Sequence, residues 1–354
     1  MAVAVGAGVP DVVEAFSAGF SPPPHAAANP KTPTTQRFMR ARLEQRSGLG
    51  ASARLPRSMR HVVAFVSFAA CAPHAASAPP VAATYEIHLR RSSHVGDRAA
   101  VVVDATIDEA NKTYTEQVLL KNDKTHVRFH LDAVGETREV DALGLPVKTD
   151  FAIRALTKGS AALVAPGEHV VVVTALDKKD ARVEVDGAPA SAEVHDAIDD
   201  LVGLSRPGDP DALFDVRARR RIGEAWAFDD GAMAHELLRS GVRAEASALA
   251  GRVTLASVEP VAGVTCARLR IDLAVSAFEP AKPLPEGSEI TRSRLTVRVD
   301  ELLPLDARSP RRADETTVHA EFEAFVPVKD QAEVAGVTIE RTTDRTRRAT
   351  YTPL

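Results

Sequence analysis

The sequence predicts a mainly β protein: a large curved antiparallel sheet or open barrel, built from two β-rich halves and carrying two short helices. Three observations carry this expectation. Apolar and polar residues alternate with period two through most of the chain after residue 80. Turn-forming residues punctuate those runs. Only two stretches show the three-to-four spacing of an amphipathic helix.

Taken in chain order, Tyr85, Ile87 and Leu89 alternate with Glu86, His88 and Arg90. Val127, Phe129 and Leu131 alternate with Arg128, His130 and Asp132, behind a predicted turn at Lys121-Asn122-Asp123-Lys124. Such alternation means one covered face and one wet face, the mark of antiparallel sheet. The run His169–Val173 is apolar on both faces, as an interior strand would be, and Asp186-Gly187 follows as a turn. Residues 191–203 place Val194, Ile198, Leu201 and Val202 on one helical stripe behind the capping candidate Ser191, and Arg206-Pro207-Gly208 reads as the stop. Residues 231–240 gather Met233, Leu237 and Leu238 behind Asp230, with Gly241 as the stop.

Leu269, Ile271, Leu273 and Val275 then alternate with Arg268, Arg270, Asp272 and Ser276 along a mostly regular segment. Pro285-Glu286-Gly287 turns the chain, and Leu295, Val297 and Val299 alternate with Thr296, Arg298 and Asp300. Val318, Ala320 and Phe322 repeat the pattern until Ala324-Phe325-Val326 breaks parity, as a bulge would. The stretches 88–105 and 215–231 share a basic run, an apolar residue, Gly and an acid, a faint sign of duplication. The expected division is a disordered extension over 1–58, a signal peptide over 59–78, an N-terminal β half over 79–187, a helix and linker over 188–210, and a C-terminal β half with one helix over 211–354.

The signal peptide rests on three parts. Arg54, Arg57 and Arg60 precede an uncharged apolar run from Val62 to Ala70, and Ala76-Ser77-Ala78 ends the segment as an A-x-A cleavage pattern, with cleavage after Ala78. An overlapping reading takes Phe68-Ala69-Ala70-Cys71 as a lipobox with Cys71 as the lipidated residue, followed by a Pro/Ala-rich tether. Phe68 stands where that motif usually has Leu. The Ala-, Pro-, Ser- and Arg-rich residues 1–58 are then explained if translation starts at Met59, or at Met39.

Composition narrows the function. Residues 1–78 hold eight Lys/Arg against three Asp/Glu, and the remainder holds 36 against 45. An acidic body of mixed charge argues against nucleic acid as a partner. Aromatic residues are 5% of the chain, too few for the girdles of a membrane barrel. Two cysteines, Cys71 and Cys266, make neither a disulfide framework nor a zinc site.

Candidate chemistry is sparse. His235-Glu236 lacks a second His one turn on, since position 239 is Arg. His126 and His130 share a strand face too far apart for one zinc, and His88 and His319 sit on polar faces of other strands. Gly203-Leu204-Ser205 precedes Arg206-Pro207 in the wrong order for a nucleophile elbow. Asp209, Asp211 and Asp215 read as an acidic linker, Trp226 as a core or cap aromatic, and Cys266 as a half-buried strand residue.

The segments "RRIGEAW", "DPDALFD" and "GRVTLASVEPVAGVTCARLRIDL" resemble parts of exported β-rich bacterial proteins of unknown function. The resemblance covers roughly residues 80–350 and implies an envelope location and a β fold, with no active residues to carry over. The expectation is a non-enzymatic exported cell-envelope protein, periplasmic, lipid-anchored at the outer membrane, or secreted. It would bind an apolar ligand or an envelope protein, without a cofactor or metal, and would touch membrane only through a lipid anchor. The alternatives are an enzyme whose site assembles only in three dimensions, and a structural envelope component.

Overall fold

The computed structural model describes residues 83–175, 180–205, 209–214, 216, 218–328 and 336–354. In chain order the strands are β1 (Thr84–Tyr85), β2 (Arg98–Thr115), β3 (Val118–Val140), β4 (Pro146–Lys158), β5 (Ala161–Val164), β6 (His169–Val173), β7 (Arg182–Val185) and β8 (Ala188–Pro189). Helices α1 (Ala192–Val202) and α2 (Pro210–Leu213) follow, then β9 (Arg220–Arg221), β10 (Ala225–Trp226), α3 (Asp230–Arg239) and β11 (Val242–Arg243). The chain closes with β12 (Leu249–Val261), β13 (Val264–Val275), β14 (Glu279–Pro280), β15 (Glu289–Pro304), β16 (Ala313–Pro327) and β17 (Gly336–Pro353).

Thirteen strands form one sheet in the order β10-β12-β13-β15-β16-β17-β2-β3-β4-β6-β7-β8, with β5 beside β4. Its neighbours are antiparallel, and its two ends do not meet, so the sheet is open. The long strand β17 returns to pair with β2, which joins the two β-rich parts into one ladder. Small two-stranded sheets, β1 with β9 and β11 with β14, sit apart from it.

Alternation decides which face is covered. Along β13 Leu269, Ile271, Leu273 and Val275 are buried, and Arg268 and Arg270 are exposed, as their parity predicts. Along β2 Ala99, Val101, Val103 and Ala105 are buried, and β17 sets Ala349 opposite Val103 and Tyr351 opposite Val101. Register carries the same face across the ladder: Ala105 faces Arg347, Arg347 faces Thr316, and Thr316 faces Val299. The sheet therefore has one covered face bearing two apolar cores. One gathers Val101, Leu131, Phe151 and Val170 beneath Val194, Ile198 and Leu201 of α1. The other gathers Val253, Leu269, Val297 and Phe322 with Met233 and Leu237 of α3. Burial of these side chains, at about 1.5–3 kcal/mol each, is the main drive for folding.

Both helices form where their spacing predicts. Ser191 Oγ accepts the Val194 N–H at the start of α1, and Gly203, at φ 80°, ends it. At α3 the capping side chain is Asp229, one residue before the expected Asp230. Gly251 is required by packing rather than by a turn. A methyl there would overlap the Phe228 ring and the Asp272 carbonyl oxygen.

Several expectations fail locally. Residues 86–91 are not a strand beyond Tyr85. They form an extended strap, held where Asp211 Oδ1 accepts the N–H groups of Leu89 at 2.6 Å and Arg90 at 3.0 Å. Their alternation is real, because Ile87 and Leu89 sink into the second core. Asp209 and Asp211 are thus a helix cap and a staple rather than a linker, the Asp209 carboxylate accepting the Asp211 N–H. The segment Lys121–Lys124 lies within β3, and the turn is Glu116-Gln117, at φ 47° and 70°. That is the left-handed geometry of a type I′ hairpin turn. Parity does not break at Ala324–Val326. The extra residue sits in the facing strand, between Ile290 and Arg292. The stretches 88–105 and 215–231 also fold differently: 98–105 is interior strand, whereas β9 and β10 within 215–231 pair for two residues each.

Candidate functional site

Where the two cores meet, the covered face is charged. Arg341, Arg345 and Arg347 of β17 all point to it, as do Glu301 of β15 and Asp314 of β16. Arg347 donates from Nε to the Leu201 carbonyl at 2.6 Å, from Nη2 to the Tyr351 hydroxyl at 3.2 Å, and from Nη1 to Asp314. The Tyr351 hydroxyl donates in turn to Asp314 Oδ2 at 3.1 Å. Arg345 donates to the Asp200 carbonyl at 2.6 Å. The last turn of α1 contains no basic residue, so β17 supplies the cations its carbonyl end favours.

Glu301 is 1% exposed, and its oxygens accept no hydrogen bond among the described residues; Arg311 Nη2 lies 3.1 Å from Oε1 as an ion pair. Burial pushes its carboxyl above the ordinary range, against the pull of Arg311. Burial, and then the neighbouring Arg311, lowers Arg91 to about 10. Burial raises the Tyr351 hydroxyl, and Asp314 raises it further. This seam is a closed joint between the cores. Arg347, Asp314 and Tyr351 satisfy one another and the end of α1, whereas Glu301 is held by charge alone.

The opposite face is a wet lattice of cross-strand charges. His130 hydrogen-bonds Asp104 at 2.8 Å, His126 bonds Asp108 at 2.6 Å, and His319 bonds Asp344 at 2.7 Å, each pair directly opposite in register. The row His319, Asp344, Asp108, His126 runs over four neighbouring strands. Among the described residues no His, Cys, Asp and Glu group is placed to hold a metal ion. The lattice continues with Arg270 to Asp300 at 3.2 Å and Arg298 to Asp272 at 2.8 Å. Exposed pairs of this kind contribute about 0–1 kcal/mol each.

The third feature is the arm formed by the first residues of β3, which run beside β2 at the edge of the β16-β17-β2 ladder. β4 begins to pair with β3 only at Phe129, so residues 118–128 of β3 have β2 on one side and no strand on the other among the described residues. The Arg128 carbonyl points outward, to the Gly159 N–H at 2.7 Å. By alternation the backbone groups of Asn122, Lys124 and His126 point outward too. At the tip Val118, Leu119 and Leu120 are 61%, 47% and 58% exposed. The two ends of the sheet finish in two-residue strands: β8 closes the short strand β7, and β10 pairs with Val253 and Thr254 of β12.

Two open grooves lie among the described residues. One of about 460 Å³ lies between Arg243, Phe278, Ile290 and Arg292, and one of about 660 Å³ lies over Gly251 between Arg252, Asp272, Arg298 and His319. Both have charged rims.

Cys71 and Ala78 lie outside the described residues, as do Arg206, Pro207, Gly208 and Asp215. Cys266 is fully rather than half buried, with its thiol pushed up by burial. Trp226 is a core residue whose Nε1–H donates to the Phe214 carbonyl at 2.7 Å beneath the Arg220 guanidinium. Glu236 of α3 pairs with Arg239 at 3.1 Å. β17 and β2 separate His319 from His126 and His130, and His88 pairs with Glu86 at 3.1 Å. The seam arginines escaped the sequence reading. A signal existed, since Arg341, Arg345 and Arg347 share the parity of Ala349 and Tyr351.

No protein-family model matches the chain, and no curated protein matches it. Among solved structures, the attachment invasion locus protein Ail of Yersinia pestis aligns with 72% of this chain and 99% of its own, at 6% identity and a TM-score of 0.10. A likeness that slight carries no argument about fold or function.

Proposed function

We propose that the chain is a non-enzymatic exported protein of the cell envelope that works by accepting a β-strand from a protein partner along the free edge of β3. One observation carries this reading. Among the described residues, a long, two-sided-wet edge strand that begins with three exposed apolar residues is left without a second neighbour. Strand addition gains its affinity from main-chain hydrogen bonds and its specificity from alternate side chains. The export part rests on the segment 59–78, with Cys71 or the Ala78 junction as its processing point. The two open grooves with charged rims favour a surface interaction over carriage of an apolar ligand, which calls for an enclosed apolar pocket.

The test compares Lys124→Pro with Lys124→Ala in the cell that makes the protein, following the size of the native complex by gradient sedimentation. Proline at an outward N–H removes a donor that the intramolecular ladder does not use. Wild type and Lys124→Ala are expected to migrate in the larger species, and Lys124→Pro to lose it. Identical migration of all three would overturn the reading.

A further inference from the structure

We infer that the strand accepted by β3 is the same strand of a second copy of this chain, paired antiparallel with Asn122 facing Asn122 of the partner subunit. The inference rests on the strand-accepting edge proposed above and names its occupant. Asn122, Lys124 and His126 carry the outward backbone groups, so a symmetric antiparallel ladder must set this even-numbered series against itself.

Charge then selects the register. With Asn122 at the two-fold axis, Lys121 faces Asp123 of the partner subunit, and the contact occurs twice by symmetry. Lys124 lays its stem against Leu120 of the partner subunit, and His126 meets Val118 of the partner subunit. Sliding the partner two residues one way sets Lys121 against Lys121 of the partner subunit. Sliding it two the other way sets Asp123 against Asp123 of the partner subunit. Like charges directly opposite are destabilising in a sheet. Lys121 and Asp123 already lie on one face within the chain, with Nζ 2.5 Å from Oδ2, so both can turn to a facing pair without changing strand face. Lysines commonly guard edges against pairing. Here the intervening Asp123 converts that guard into a complementary code. Val118, Leu119 and Leu120 then sit beside the joint instead of standing alone in water.

Sedimentation equilibrium on the full chain tests this. Wild type is expected to show a reversible monomer–dimer equilibrium. Lys121→Asp and Asp123→Lys, each placing two like-charge contacts in the joint, are each expected to weaken it roughly tenfold or more. A one-to-one mixture of the two variants restores complementarity at both contacts and is expected to form a heterodimer at about wild-type strength. Both positions are exposed, so unchanged melting of each variant excludes loss of fold. A wild type that stays monomeric over the whole range overturns the second copy as occupant, and so does a mixture that fails to pair. Neither result touches the strand-accepting edge, because the Lys124→Pro comparison in the cell reports on any strand. Loss of the large species there with a monomeric purified chain would mean a different protein partner.

Discussion

Removing Arg347 should cost far more than removing any surface charge, and the cost should shrink when its acid goes with it. The Arg347 guanidinium is buried, holds Asp314, and donates to the Leu201 carbonyl and the Tyr351 hydroxyl. Among the described residues, Arg347→Met leaves Asp314 with Tyr351 at 3.1 Å and Arg311 at 3.4 Å, and it strips the Leu201 carbonyl of that donor. Breaking one side of a buried pair costs about 3–5 kcal/mol, of which the orphaned carbonyl accounts for about 1–3. Asp314→Val should cost a similar amount, since it leaves Arg347 and Arg311 facing each other. The double variant removes the unpaired charges and keeps only the lost hydrogen bonds, so it should lose about 1–3 kcal/mol. Urea unfolding of the four proteins, read as midpoint and slope, measures the cycle. Wild type should unfold in one transition, because the seam ties both cores into one sheet. Additive losses within about 0.5 kcal/mol, or a loss below about 1 kcal/mol for Arg347→Met, would refute the seam as a joint.

Ile271 is 3% exposed on the core face of β13, so Ile271→Ala is expected to cost about 2–5 kcal/mol, whereas Arg270→Ala on the wet face stays within about 0.5 kcal/mol; denaturant midpoints decide, and equal losses would mean the parity is wrong. The hydrogen bond to Asp344 holds the His319 imidazole above its ordinary value of 6.5, against partial burial. The stability this pair adds is therefore fully present below the ordinary value and lost as pH rises through the raised one. An NMR titration should place the His319 midpoint above 6.5 and show it falling in Asp344→Asn; a midpoint indifferent to that substitution would contradict the pairing.

Legibility in the sequence followed the covered face. From Leu269 to Val275 one side packs and the other is wet, so the alternation is written directly into the residues. Residues 118–126 of the arm are exposed on both faces, and nothing there constrains side chains to alternate. Lys121–Lys124 accordingly has the composition of a turn while lying in a strand. The real turn, Glu116-Gln117, carries neither Gly nor Asn, so its positive φ angles left no mark in residue type. The strap at 86–91 imitates a strand because an extended chain over a core also has period two. The seam stayed hidden because arginine on a covered face reads as a solvated position until the end of α1 and Asp314 are brought to it. The free edge is a property of strand order, which no local pattern records.

Hydrogen exchange of the individual amides in β3, on the full chain at high dilution, tests the free edge most directly. The N–H groups of Asp123 and Thr125 point to β2 and should be protected, whereas those of Asn122, Lys124 and His126 point away from it and should exchange near the rate of an unstructured chain. Protection of that second set should appear only when a partner strand is present. Protection of all five amides in the dilute monomer would show that the edge is already covered, and would contradict strand addition as what this arm does.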